Sequence, residues 1–92
     1  MAQTTIPPSV LEAAHRVSSG HRAIIERSQL CGCFYCLSTY SPSEIERWID
    51  ESTGVHTALC PKCGIDSVIG DASGYELSAP FLSAMHQRWF GT

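Results

Sequence analysis

"CGCFYCLSTY", residues 31–40, sets three cysteines within six positions, and the next pair appears only at "LCPKCG", residues 59–64. Cys33 and Cys36 form one CxxC and Cys60 and Cys63 a second, with 23 residues between the pairs. Two thiolates three residues apart can bend around one ion while the intervening backbone N–H groups point at sulfur, and two such turns complete a tetrahedron. These four cysteines are therefore read as the ligands of one metal ion, and the expected ion is zinc. Four protein thiolates leave no coordination position for water, whereas catalytic zinc keeps one, so the ion is expected to be architectural. Structural zinc brings an apparent binding free energy on the order of 10–16 kcal/mol, comparable to the whole stability of a small domain.

Iron is the rival metal, because the paired turns also resemble rubredoxin and tetrahedral sulfur sites suit either ion. Against iron, the first turn runs on as "CFYCLS" and lacks the glycine that follows the second cysteine of rubredoxin-like turns, although "CPKCG" has it. Cys31 is left over. Pairing it with Cys36 would need a wider loop than the two-residue turn, so it is read as a partly buried free thiol beside the site. The sharper alternative is a redox-sensitive or exchangeable ligand.

The chain has 92 residues, enough for one domain that buries only roughly 60–65% of the surface its unfolded form exposes. With 43% hydrophobic and 16% charged residues and no low-complexity run or repeat outside the cysteine clusters, it reads as folded. Residues 1–8 are expected to be a loose lead-in and residues 9–92 a single metal-binding domain. No positive n-region with an apolar run opens the chain, and nowhere do eighteen apolar residues follow one another. A cytoplasmic address is expected, where clustered cysteines serve metals more often than disulfides. The formal net charge is −3, and a zinc tetrathiolate would add −2. Residues 1–40 carry +1 and residues 41–92 carry −4, so a nucleic acid would have to meet the N-terminal segment.

Along the chain, a helix is expected from about Ser9 to Arg27, with Val10, Ala14, Val17, His21, Ile24 and Ser28 on one stripe and "SSG", residues 18–20, able to split it. In "SPSEIERWIDESTG", Ser41 is a candidate N-cap, Pro42 suits the first helical position and Glu44 completes a capping box. That predicts a short helix with Ile45, Trp48 and Ile49 on one face, ended by Gly54. The cysteine pairs are each expected on a turn between two short strands, the second a hairpin. "LSAPFLSAMHQRWF" predicts a closing helix capped near Ser78, with Leu82, Met85 and Trp89 on one face and Phe81 and Phe90 beside it. Trp48, Trp89, Phe81, Phe90 and Tyr75 are read as core, any exposed subset as a partner site.

Taken together, "CGCFYC", "ALCPKCGIDSVIGDASGY" and "FLSAMHQRWF" give the chain, from about His15 to Phe90, a likeness to short bacterial sequences: it resembles a family described only as "cytoplasmic protein". That resemblance implies the zinc and the compartment and names no activity. The paired turns also resemble zinc ribbons with a helix inserted between them, so the expected fold is a small α+β zinc-ribbon-like domain. A treble clef is the runner-up; it would run from the second knuckle into a helix, whereas "GIDSVIG" reads as strand.

A hydrolase would recruit His21, His56 or His86 with Asp66, Ser67 and Asp71, but no nucleophile-elbow glycines accompany them, and Asp and Ser after a knuckle are read as caps of turn N–H groups. An HNH-type treble-clef nuclease needs a histidine base, typically heralded by an Asp-His pair that is absent here. His15-Arg16 and His21-Arg22 form a mixed basic face diluted by Glu12 and Glu26. The expected function is thus a non-enzymatic zinc-stabilised module whose acidic C-terminal surface meets a protein partner, a basic one suiting that charge, to regulate or inhibit it. The alternatives are a nucleic-acid-binding zinc ribbon and a metal-dependent hydrolase. No membrane partner is expected.

Overall fold

The structure, a computed structural model, describes residues 6–50 and 56–91. Two helices open it, α1 (Pro8–Arg16) and α2 (Arg22–Arg27). Strands β1 (Cys31–Cys33) and β2 (Thr39–Tyr40) come next, then a one-turn 3-10 helix at Pro42–Glu44, β3 (Trp48–Asp50), β4 (His56–Ala58) and β5 (Val68–Gly70). A second 3-10 turn (Asp71–Ser73) leads to the closing helix α3 (Ala79–Trp89). Among the described residues no helix is long and apolar enough to cross a membrane.

The N-terminal helix does split where serine and glycine weaken it, with Gly20 in the left-handed region at φ +56. The break resets the helical phase. Leu11 and Ala14 face the core before it, but afterwards Ile25 is buried where the uninterrupted stripe pointed to Ile24. His21 sits in the break and is itself buried. Its Nδ1–H donates to the Val17 carbonyl at 2.9 Å and its Nε2 accepts the Ala58 N–H at 3.1 Å, so a neutral imidazole ties the helical bend to β4. His21 therefore cannot belong to a basic outer face. Arg22 beside it lies over the Trp48 ring and pairs with Glu26.

The segment after Tyr40 departs from expectation. The Ser41–Glu44 capping box is present, with the Ser43 N–H donating to Ser41 Oγ and the Ser41 N–H donating to a Glu44 carboxylate oxygen, yet it caps a single 3-10 turn. By Ile45 the backbone is extended, and Trp48–Asp50 pairs antiparallel with His56–Ala58. A helix this short gains little from its own hydrogen bonds, whereas Ile and Trp pack well on a pleated strand. Ile45 and Trp48 then turn toward the cysteines while Ile49 is exposed, so the three do not share a face. Gly54, expected to end the helix, lies outside the described residues.

The strands form two sheets, β2-β1-β5 and β3-β4, all antiparallel. The first knuckle closes the β1–β2 hairpin, but the second is no hairpin: β4 pairs with β3, and β5 crosses to pair with β1 in the register Cys31 to Gly70, Gly32 to Ile69 and Cys33 to Val68. The second knuckle leads on to strand β5, not into the helix a treble clef requires.

Because side chains alternate, the β1–β5 pair has two buried faces. Ile69 and Gly32 face α1 and α3, where Leu11, Ala14, Phe34, Phe81, Leu82 and Met85 form one core, and a Cβ on Gly32 would stand 3.1 Å from Leu82. Cys31, Cys33 and Val68 face the other way, into a second core with Ile25, Tyr40, Ile45, Ala58 and Cys60. α3 starts at Ser78, whose hydroxyl accepts the Phe81 N–H, and is tied to α1 by an Arg88–Glu12 ion pair.

Burial holds the His21 pKa below its usual 6.5, partly opposed by the hydrogen bond to the Val17 carbonyl. On acidification the unfolded chain thus takes up this proton first. The stability His21 contributes is complete above pH 6.5 and is lost as pH falls from there toward the folded value. A His21→Leu variant, which strands the buried Ala58 N–H, is expected to lose about 1–3 kcal/mol at neutral pH. In urea melts across pH, its acid limb should be flatter than the parent's.

Candidate metal centre

The two CxxC turns have the same backbone construction. In the first, the Cys33 N–H donates to the Ser38 carbonyl and the Leu37 N–H to the Cys33 carbonyl, each at 2.9 Å; in the second, the Cys60 N–H donates to Ile65 and the Gly64 N–H to Cys60, again at 2.9 Å. The residue after the second cysteine of each turn takes a positive φ, +66 at Leu37 and +83 at Gly64. Glycine does this without cost, whereas a leucine is strained by roughly 1–2 kcal/mol. The missing glycine of "CFYCLS" is thus met by distorting a leucine.

The turns converge so that the Sγ atoms of Cys33, Cys36, Cys60 and Cys63 lie within 4.8 Å of one another. Cys33 to Cys63 is 3.6 Å and Cys36 to Cys60 is 3.7 Å. A tetrahedron with metal–sulfur bonds of about 2.3 Å has edges of about 3.8 Å. These four cysteines can hold a metal ion, and the sulfur-only set suits zinc or iron.

The surroundings fit an anionic sulfur cluster. Cys33 Sγ accepts the Tyr35 N–H at 3.3 Å and the Cys36 N–H at 3.4 Å, and lies 3.0 Å from the Ser67 hydroxyl. Cys60 Sγ accepts the Lys62 N–H at 3.3 Å. The Tyr40 hydroxyl is buried with no hydrogen-bond partner among the described residues, and Cys60 lies in the same core beside it. A buried hydroxyl left unpaired is costly, and a charged sulfur is an acceptor it could use.

Without a cation, burial drives the Cys33 and Cys63 thiols up. Burial raises Cys60 as well, but the Tyr40 hydroxyl and the Lys62 and Cys63 N–H groups outweigh it and leave that thiol at about 7.

Cys31 stays outside the four. It is fully buried two residues upstream on β1, and burial, with a smaller push from the Asp71 carboxylate, carries its thiol up to about 12. It remains a protonated core residue.

The groups a hydrolase would need are dispersed. Asp66 is exposed, Ser67 is spent on Cys33, and Asp71 Oδ1 accepts the Gln29 and Leu30 N–H groups at 3.0 and 3.3 Å as a loop cap. His56 Nδ1 faces Asp50 at 3.5 Å across β3–β4, and His86 Nδ1 contacts the Phe34 carbonyl at 3.1 Å. A cleft of about 380 Å³ beside the second knuckle is walled by Glu44, Glu46, Arg47, Lys62 and Cys60, too polar for a typical small-molecule site.

Tyr40 and Ser67 as neighbours of sulfur escaped the sequence reading: one contact spans the two knuckles and the other crosses from β5 to β1. The aromatic assignment is also corrected. Phe81 is buried, Tyr75 stacks on it at 5.7 Å, and Trp48 is half-buried, but Trp89 and Phe90 are 36% and 39% exposed. Phe90 meets Tyr35, the exposed residue inside the first CxxC, edge to face at 4.9 Å.

Cys36→Ser is expected to abolish stoichiometric metal binding, whereas Cys31→Ala keeps one ion per chain and costs about 1–2 kcal/mol through the small cavity it leaves. Elemental analysis of the purified variants, with a denaturant melt of each, reads both. No family model, curated protein or solved structure matches this chain, so its function is to be read from its own residues.

Proposed function

We propose that this chain is a non-enzymatic, zinc-stapled, ribbon-like module of a reducing compartment, and that it binds a protein partner through the surface around the first knuckle. The observation that carries this reading is Leu37, 45% exposed and held at φ +66. A glycine there would relieve the strain, and nearly half of the leucine's surface faces outward, so this leucine is read as serving something outside the chain. It does not stand alone. Tyr35, Phe90 and Trp89 are exposed around the same knuckle, and Trp89 leans on His15 with ring centroids 4.0 Å apart. Aromatic and aliphatic side chains of this kind form the centres of protein interfaces.

The exposed acids Glu44, Glu46, Asp50, Asp66 and Glu76 give the C-terminal half a negative surface that would steer a basic partner toward the chain. The same charge opposes a phosphate backbone, and the dispersed candidate catalytic groups give a hydrolase no support.

The test is affinity capture from cytoplasmic lysate with the parent chain, Leu37→Gly and Tyr35→Ala. Leu37→Gly is expected to keep its metal and lose no more than about 1–2 kcal/mol, since relieved strain offsets part of the added chain entropy and the lost burial of a half-covered side chain. Both variants should lose a protein that the parent retains. Equal retention by all three contradicts the proposed surface. Nucleic-acid binding that weakens steeply with salt, or hydrolysis with magnesium or manganese, would instead support one of the alternatives.

A further inference from the structure

The four sulfurs are not equivalent. Cys33 and Cys60 are 0% and 3% exposed, while Cys36 and Cys63 are half-buried. Cys33 is hydrogen-bonded by two backbone N–H groups and lies against the Ser67 hydroxyl; Cys60 has the Lys62 N–H and the otherwise unpaired Tyr40 hydroxyl beside it. Among the described residues, Cys36 Sγ accepts no hydrogen bond from outside the four, and Cys63 feels only the Ile65 N–H without hydrogen-bond geometry. The first cysteine of each knuckle is thus enclosed and accepts at least one backbone N–H, and the second is more exposed with fewer donors at its sulfur.

We propose that Cys36 and Cys63 form a reactive edge of the metal centre, the site at which soft electrophiles such as α,β-unsaturated carbonyl compounds modify the chain and open its metal bonds. This rests on the reading above that the centre holds a metal. A hydrogen bond to a thiolate draws electron density from the sulfur and lowers its nucleophilicity, and outer groups of this kind tune how a ligand behaves. A partly exposed thiolate with fewer donors keeps more of its electron density and can be reached.

The step needs no oxidant. A sulfur lone pair of Cys36 or Cys63 adds to the electron-poor alkene carbon, a C–S bond forms, and the alkene π pair takes a proton from water. The sulfur passes from thiolate to neutral thioether and gives up most of its hold on a divalent ion. Since the two more exposed sulfurs lie one on each knuckle, attack at either unfastens one turn from the other. Cys31, fully buried in the same core as Tyr40, offers no competing target.

The experiment treats the metal-loaded full chain with sub-stoichiometric N-ethylmaleimide. Early quenches are mapped by peptide mass spectrometry, and metal release is followed with a chromogenic chelator. The large majority of singly labelled chains should carry the adduct on Cys36 or Cys63, and metal release should track that first adduct. Ser67→Ala and Tyr40→Phe, which remove a hydroxyl from Cys33 and Cys60 respectively, should raise labelling of those residues several-fold and leave Cys36 and Cys63 unchanged, an effect that exposure alone would not produce. First labelling at Cys33 or Cys60, or even labelling of all four, overturns the proposal, as does a Ser67→Ala chain that folds and labels like the parent. Metal content is measured beforehand. A chain that holds no ion overturns both the metal reading and the proposal, whereas a loaded chain with the wrong labelling order overturns the proposal alone.

Discussion

Four sulfurs from two distant turns meet within 4.8 Å, and everything else in the structure is arranged so that they can. As thiolates they would repel one another in a poorly solvated pocket, and as thiols they would fill a core with weak hydrogen-bonding groups. A divalent cation would resolve the conflict, because it would turn mutual repulsion into four attractive bonds. The elements around the cluster are short: the strands run two or three residues, and α2 has six. Such pieces are marginal by themselves. They hold together because each is attached to a knuckle or to the β1–β5 pair between the two cores.

That central pair joins the sulfur cluster to the helices. Cys33 and Val68 point into the sulfur core and Ile69 into the α1–α3 core, so one two-strand ribbon transmits the position of the first knuckle to both sides. Phe34, adjacent to Cys33, sits in the helical core, while Tyr35, one step further, is exposed against Phe90. The residues of the first CxxC are therefore divided among ligand, core and surface. This explains how an ion held by the four cysteines would set the shape of an outer face.

Features written in neighbouring residues were legible in the sequence. The cysteine spacing, the Ser78 cap of α3, the Ser41–Glu44 capping box and the weakness at residues 18–20 each depend on a few adjacent positions, and each is present. What failed depends on pairings and contacts that the local spacing does not encode. Ile45, Trp48 and Ile49 satisfy a helical period, but β4 offers Trp48–Asp50 a ladder of hydrogen bonds that only tertiary structure supplies. Trp89 lies on the face its period predicts, yet a period reports which residues share a face, not how far the neighbouring surface extends beneath them. The roles of Tyr40 and Ser67 around sulfur, and the crossing of β5 to β1, are likewise settled by contacts across the fold. The described geometry leaves the choice of ion to chemistry, since sulfur-only tetrahedra accept zinc and iron alike.

The dependence of the fold on the bound ion is tested most directly by far-UV circular dichroism and thermal melting of the purified chain before and after removal of its metal with a strong chelator under reducing conditions. If the ion fastens the two knuckles, the stripped chain loses much of its ordered signal and its cooperative melt, and both return when zinc is added back. An unchanged spectrum and melting temperature after complete metal removal would contradict it.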